Sequence, residues 1–142
     1  MALTADERLT WLSRVAMFQG CADASLRRVA EATGEIAFPP GHFIVEQGQV
    51  GNGLFILVSG TARVVRGDEV LAHLGPGDSF GELSVIDQQP RAASVIAEQS
   101  CSCLALASWD LLAVLEDDPR LAINLLAELA RRIRQLDDHP GH

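Results

Sequence analysis

Hydrophobic and polar positions follow different periods in the three parts of this chain. Near the N-terminus, apolar residues recur at helical spacing after Thr4 and Glu7, two residues spaced as in a capping box. The stretch DASLRRVAEAT predicts a second, shorter helix that is capped at Asp23 and ends near Gly34. Residues 1–33 are therefore predicted to form N-terminal helices.

The middle of the chain, residues 34–107, consists of short runs of Val, Ile, Leu and Phe. Gly and Pro interrupt these runs about every 8 to 12 residues, as expected of successive short strands. The interruptions are PPG (39–41), GQVGNG (48–53), SG (59–60), RGDE (66–69) and GPGD (75–78). About eight strands fit between them, which predicts an eight-stranded β-barrel or jelly roll. The tripeptide RGD is interpreted as a hairpin turn with Gly67 at its tip.

Helical spacing returns in residues 108–138. Ser108 is predicted to cap a helix over WDLLAVLE, and Asp118 and Pro119 to begin a longer one. The predicted fold is therefore mainly β with flanking helices, and the length favours a single domain over residues 1–142.

The last predicted helix has an apolar stripe, formed by Leu125, Leu129, Ile133 and Leu136. Such a stripe either packs onto the β fold or forms the seam of a homodimer. Both interpretations remain open at this point.

Composition restricts the partners and the compartment. The net charge of -8 and pI of about 4.8 disfavour direct binding to nucleic acid or to anionic membranes. No apolar run approaches the roughly 20 residues of a membrane span, and the N-terminus lacks the apolar core of a signal peptide. Cys21, Cys101 and Cys103 are an odd number without framework spacing, as expected of reduced thiols. We therefore expect a cytoplasmic protein.

Two charged residues stand in the otherwise apolar segment FGELSVIDQQPRAASV, residues 80–95. Glu82 follows a glycine, and its carboxylate suits hydroxyl donors such as those of a ribose. Arg91 carries a planar fork of donors that matches a phosphate, and the small Ala92 and Ala93 let backbone N–H groups approach an anion. If a short helix begins at Gly81, its free N–H groups would face the same anion. The alternative is a plain salt bridge between the two charges.

The same segment resembles the phosphate-binding cassette of the cyclic nucleotide-binding domain family, as found in the catabolite activator protein and the protein kinase A regulatory subunit. The resemblance extends to FPPGHFIVEQGQVGNGLFILVSGTARV, with Gly48 and Gly60 at habitual glycine positions, and covers nearly the whole chain. It implies that Glu82 holds the ribose 2'-hydroxyl and Arg91 the cyclic phosphate. The site residues that it implies within the cassette, residues 80–93, are Phe80, Gly81, Glu82, Leu83, Ser84, Pro90, Arg91, Ala92 and Ala93.

The resemblance also bears on the base and on a lid. Family members that prefer cyclic GMP tend to carry Thr or Ser directly after the arginine, so Ala92 favours cyclic AMP and leaves cyclic GMP as the second candidate. The final helix would close over the base. There Asp137 would accept from the adenine amino group, Leu136 replaces a frequent hydroxyl, and Arg132 would lie towards the phosphate.

Catalysis and metal binding are not expected. No combination of nucleophile, base and orienting residue is visible. His42 and His73 lack the neighbouring ligands of a metal-binding barrel, so neither a metal nor a cofactor is predicted. We expect a regulatory sensor that acts on a separate effector protein. The alternative is a protein interaction or dimerisation module whose pocket does not respond to nucleotide.

Overall fold

The computed structural model describes residues 2–51, 53–81 and 86–137. Eight strands form the body, as predicted: β1 Gly34–Phe38, β2 Phe43–Val45, β3 Gly53–Ser59, β4 Ala62–Arg66, β5 Glu69–Leu74, β6 Ser79–Phe80, β7 Ser94–Ala97 and β8 Cys101–Ala107. They make two antiparallel four-stranded sheets, in the orders β1-β8-β3-β6 and β2-β7-β4-β5. No described strand pair joins one sheet to the other, so the arrangement is a jelly-roll sandwich rather than a closed barrel.

The helices flank this sandwich. They are α1 Ala5–Ser13, a 3-10 helix Ala16–Phe18, α2 Asp23–Ala32, α3 Ser108–Asp117 and α4 Pro119–Asp137. The capping box is confirmed, since Thr4 and Glu7 each bond the other's backbone N–H. No helix within the described ranges is both long and apolar enough to cross a bilayer.

Two predicted caps are wrong by one residue. Ala22, rather than Asp23, is the N-cap of α2, and Ala107, rather than Ser108, is the N-cap of α3. Asp23 and Ser108 are already the first helical residues, and neither N-cap makes a side-chain hydrogen bond. In α3, the helix continues directly from strand β8, and this continuity rather than a polar cap sets its start.

Two apolar clusters hold the layers together. One lies between the helices and the β1-β8-β3-β6 sheet and includes Leu12, Phe18, Leu54 and Leu104, all at most 1% exposed. The other lies between the two sheets. Strand β8 contributes to both, because alternate side chains point to opposite faces: Leu104 faces the helices and Cys103 faces the opposite sheet.

Tight turns follow the predicted glycine positions. Gly67 has φ +61 at the tip of the hairpin between β4 and β5, which confirms that RGD is a turn. Gly60 has φ +83, and a Cβ there would lie 2.3 Å from the carbonyl oxygen of Ser100. Only glycine fits that position without displacing the neighbouring strand.

Candidate functional site

The backbone of Arg91 is fixed to the loop between β2 and β3. Its N–H donates to the carbonyl oxygen of Gln49 at 2.8 Å, and its own carbonyl accepts from the N–H of Gly48 at 2.9 Å. Immediately before it, Pro90 forms an isolated antiparallel bridge with Val50. These contacts set the direction in which the Arg91 side chain leaves the backbone.

The guanidinium of Arg91 is buried among three glycines from two segments of the chain. The residue is only 9% exposed, and its Nη2 donates to the carbonyl oxygen of Gly53 at 3.0 Å. A Cβ on Gly51 would lie 2.3 Å from the Arg91 Cζ, and one on Gly81 would lie 2.8 Å from Nη1. Glycine at both positions therefore makes room for the guanidinium, whose planar fork of donors has the geometry that suits an anion.

Phe80 supports this arrangement from within the core. It pairs with Phe55 across β6 and β3, and the two rings stack with centroids 5.6 Å apart. Phe55 in turn meets Phe38 edge to face at 6.5 Å. The Phe80 side chain therefore packs in the sandwich, and the β pairing carries the adjoining Gly81 to the position beside Gly53.

The other described cassette residues lie at the surface. Pro90 and Ala92 are exposed, and Ala93 is half-buried. Their side chains are small or rigid, as the predicted phosphate cradle requires. Ile86 and Asp87 have helical backbone.

Three predicted residues, Glu82, Leu83 and Ser84, lie outside the described residues. Their roles stay predictions.

The predicted lid residues lie on α4. Arg132 Nε is 3.5 Å from Glu128 Oε1 on the same helix, and Arg132 lines a small cavity of about 50 Å³ with Met17 and Ser79. That cavity does not include Arg91. Leu136 and Asp137 belong to the last turn of α4, and their side chains lie outside the described part.

Sequence reasoning missed Gly51 and Gly53 as site residues and interpreted their segment only as a turn. The signal was present, because GQVGNG contains more glycine than one turn requires. It considered Ser94 only as a hydroxyl near the cassette, whereas Ser94 is buried and its hydroxyl accepts a hydrogen bond from the Gln47 N–H at 2.8 Å. This contact ties the start of β7 to the same glycine-rich loop.

Among the described residues, no three His, Cys, Asp or Glu side chains form a group that could hold a metal ion. His73 is instead close to a single carboxylate, with its Nδ1 3.3 Å from Glu98 Oε1.

Comparison with known proteins identifies the family of this chain. Residues 35–118 match the family described as the cyclic nucleotide-binding domain. The chain is 43% identical over 105 residues to the cyclic AMP receptor protein of Thermus thermophilus, a match that covers 70% of this chain and 49% of that protein. The chain thus spans about half of this relative's length.

Two solved structures show the same architecture. The crystal structure of the Thermus thermophilus catabolite activator protein superposes with a TM-score of 0.78 at 37% identity, over 87% of this chain and 60% of that one. The regulatory domain of Toxoplasma gondii PKA, co-crystallised with cAMP, gives a TM-score of 0.78 at 27% identity, over 90% and 50% of the two chains.

The chain belongs to the cyclic nucleotide-binding domain family. It is related to regulators that respond to cyclic AMP, and Arg91 lies within the matched segment.

Proposed function

We propose that this domain is a sensor that binds 3',5'-cyclic AMP and passes the binding event to its C-terminal helix. The observation that carries the proposal is the buried guanidinium of Arg91, held between Gly51, Gly53 and Gly81. A phosphate supplies an opposite charge and several acceptor oxygens, which match the planar fork of donors on this guanidinium.

The remaining contacts of the nucleotide follow from the cassette. Glu82 accepts from the ribose 2'-hydroxyl, and the backbone N–H groups of Gly81, Leu83, Ala92 and Ala93 complete the cradle. Ala92 offers no hydroxyl to a guanine, so the base preference is for adenine. The module binds the nucleotide without chemistry.

The binding event is passed to α4 through the junction of α3 and α4 at Asp118 and Pro119. Asp118 is buried, and its Oδ1 accepts from the N–H of Arg120 at 3.0 Å, which fixes the start of α4. Closure of the helix would bring Arg132, Leu136 and Asp137 towards the base. The nucleotide shifts this equilibrium only by its different affinities for the open and closed positions of α4.

The same helix is the proposed homodimer surface. Of the predicted stripe, Leu125 is 5% exposed and Leu129 packs against the helical core, so both serve the fold. Ile133 of the predicted stripe is 60% exposed, and it shares its helix face with two residues outside the stripe, Ile123 at 59% and Leu126 at 66%. An apolar helix face of this kind suits a second copy of the chain.

The proposed effector is another protein. Free thiols at all three cysteines are consistent with a reducing cytoplasm as the compartment.

Calorimetric titration of the purified protein with cyclic AMP and with cyclic GMP tests the proposal. We expect saturable heat with cyclic AMP, at tighter affinity than with cyclic GMP, and its loss in Arg91→Ala. The protein must first be denatured and its supernatant checked for nucleotide carried through purification. Absence of heat with both nucleotides in nucleotide-free protein would instead support the interaction module.

A further inference from the structure

Arg91 also lines a groove, which reaches it from the side of Gly51 and Gly53. This groove has a volume of about 690 Å³ and lies where the edge strands β1 and β2 meet the start of α3. Its apolar lining includes Ile36, Ile44, Val50, Phe55 and Trp109. We call it the Trp109 groove. Gly81, Ala92 and Ala93 of the cassette do not line it.

Several of these apolar side chains are exposed together. Trp109 is 69% exposed, Val50 is 48% exposed and Ile36 is 42% exposed. Single exposed apolar residues are ordinary, but three around one concave opening are typical of an interaction site. Tryptophan in particular is enriched among the residues that dominate binding energy in protein interfaces.

The charges around the groove determine which partners fit. Among the described residues that line it, the charged ones are Glu46, Asp110 and the buried Arg91. The two carboxylates are accessible, and the whole chain carries a net charge of -8. An acidic rim around an apolar floor is complementary to an apolar side chain flanked by basic ones.

We propose that the Trp109 groove docks a segment of a partner protein, in which an apolar side chain enters between Ile36, Val50 and Trp109. Lysine or arginine residues on either side of this anchor face Glu46 and Asp110. The groove is thereby the surface through which the domain contacts its effector.

The shared arginine links the two sites. Arg91 lies in both the nucleotide cassette and the wall of the groove, so a phosphate that changes its position also changes the docking surface. Binding free energies are reciprocal, and the partner segment must alter nucleotide affinity by the same factor. This coupling rests on the proposed function, whereas docking itself does not.

A synthetic peptide tests the docking. The probe is a twelve-residue peptide with three central leucines between two pairs of arginines, added to the full chain without nucleotide. The protein has two tryptophans, whose indole N–H resonances are assigned with Trp11→Phe. Trp11 serves as the internal reference, because it lies on α1 and stacks beneath Arg14. We expect a saturable shift of the Trp109 resonance and none of Trp11.

Matched charge variants separate docking from general attraction to an acidic protein. The double variant Glu46→Gln with Asp110→Asn should weaken binding of the peptide at least fivefold. Asp68→Asn with Glu69→Gln, at the turn and first residue of the β4–β5 hairpin, removes the same charge and should change the affinity less than twofold. Equal weakening by both pairs, an unmoved Trp109 resonance, or equal binding of a peptide with alanine in place of leucine would overturn the proposal.

Failure of this proposal is distinguishable from failure of nucleotide sensing. Trp109→Ala, at an exposed position, should abolish peptide binding measured by calorimetry, while the circular dichroism spectrum and the calorimetric response to cyclic AMP persist. Saturating cyclic AMP should change peptide affinity at least threefold in the wild type. An unchanged peptide affinity with cyclic AMP demonstrably bound would refute the coupling, and peptide binding in a protein that binds no nucleotide would refute only the sensor.

Discussion

The guanidinium of Arg91 donates a hydrogen bond to the carbonyl oxygen of Gly53, across 3.0 Å and 38 positions of sequence. This bond joins the end of the cassette to the first residue of β3. It holds a cation at 9% exposure, where water solvates it poorly. Arg91 lies three residues before β7, and β7 and β3 belong to different sheets. The position of this one side chain therefore depends on both sheets.

Removing the cation should abolish most of the nucleotide affinity. We expect Arg91→Ala to weaken cyclic AMP binding by about 3 to 5 kcal/mol, or two to four powers of ten, because the buried phosphate loses its counter-charge. Arg91→Lys keeps the charge without the planar fork, so its affinity for cyclic AMP should lie between that of the wild type and that of Arg91→Ala. Calorimetry measures all three proteins, with the exposed Arg66→Ala as the control. A loss of less than threefold in Arg91→Ala would contradict the assignment.

A hydroxyl after the arginine should change the choice of base. Ala92 is exposed, so Ala92→Thr is tolerated by the fold and adds a donor and acceptor next to the cradle. One added hydrogen bond stabilises by about 1 kcal/mol, so we expect cyclic GMP to gain about fivefold relative to cyclic AMP. Competition titrations with both nucleotides give this ratio. A ratio equal to that of the wild type would show that selectivity resides elsewhere.

Two glycines with similar backbone angles should differ in their tolerance of alanine. At Gly67 a Cβ meets nothing within 4 Å, so Gly67→Ala should cost only the left-handed conformation, about 1 to 2 kcal/mol. At Gly60 the Cβ also overlaps the carbonyl oxygen of Ser100, and the loss should reach about 3 kcal/mol or more. Urea unfolding of both variants tests this order, and equal losses would contradict it.

Alkaline pH should destabilise the protein through Cys103. Burial, with a smaller effect of the neighbouring Cys101, raises the pKa of the Cys103 thiol from 9.0 to about 12. The unfolded chain therefore releases this proton before the folded protein does. The stability that this thiol contributes is fully present below pH 9. It is lost between pH 9 and pH 12, by about 1.4 kcal/mol for each pH unit.

The matched variant for this effect is Cys103→Ala, which lacks the titrating thiol. Between pH 8 and pH 10 the free energy of unfolding of the wild type should fall by about 1.4 kcal/mol more than that of Cys103→Ala. Urea titrations at the two pH values measure the difference. Parallel losses in the two proteins would show that other groups account for the pH dependence.

The exposed face of α4 should determine the oligomeric state. Leu126→Lys together with Ile133→Lys places like charges against each other across a two-fold axis, and we expect a monomer by light scattering coupled to size exclusion. Val70→Lys, at a 49% exposed position on strand β5, is the control and should leave the dimer intact. A wild-type protein that is monomeric at high concentration would refute the dimer.

Local patterns predicted much of this fold. Turn glycines and prolines delimited the eight strands because strand ends need backbone conformations that those residues favour. The capping box located the start of α1 because both of its hydrogen bonds lie within a few residues. Where no local bond defined a helix start, as at Ser108, the prediction was wrong by one residue, since the preceding strand sets that boundary.

The sequence by itself determined the family and the segment to which Arg91 belongs, because motif spacing within a short segment is a local property. The pairing of Arg91 with Glu82 stays a prediction. Only the tertiary structure decided what surrounds Arg91. Gly51 and Gly53 reach it through the pairing of β3 with β6 and β8, and the continuation of β8 into α3 places Trp109 in the groove that Arg91 also lines. It also decided that Leu125 packs inward while Leu126 stays exposed. Residues far apart in sequence meet only when the sheets pack, and that packing depends on the whole chain.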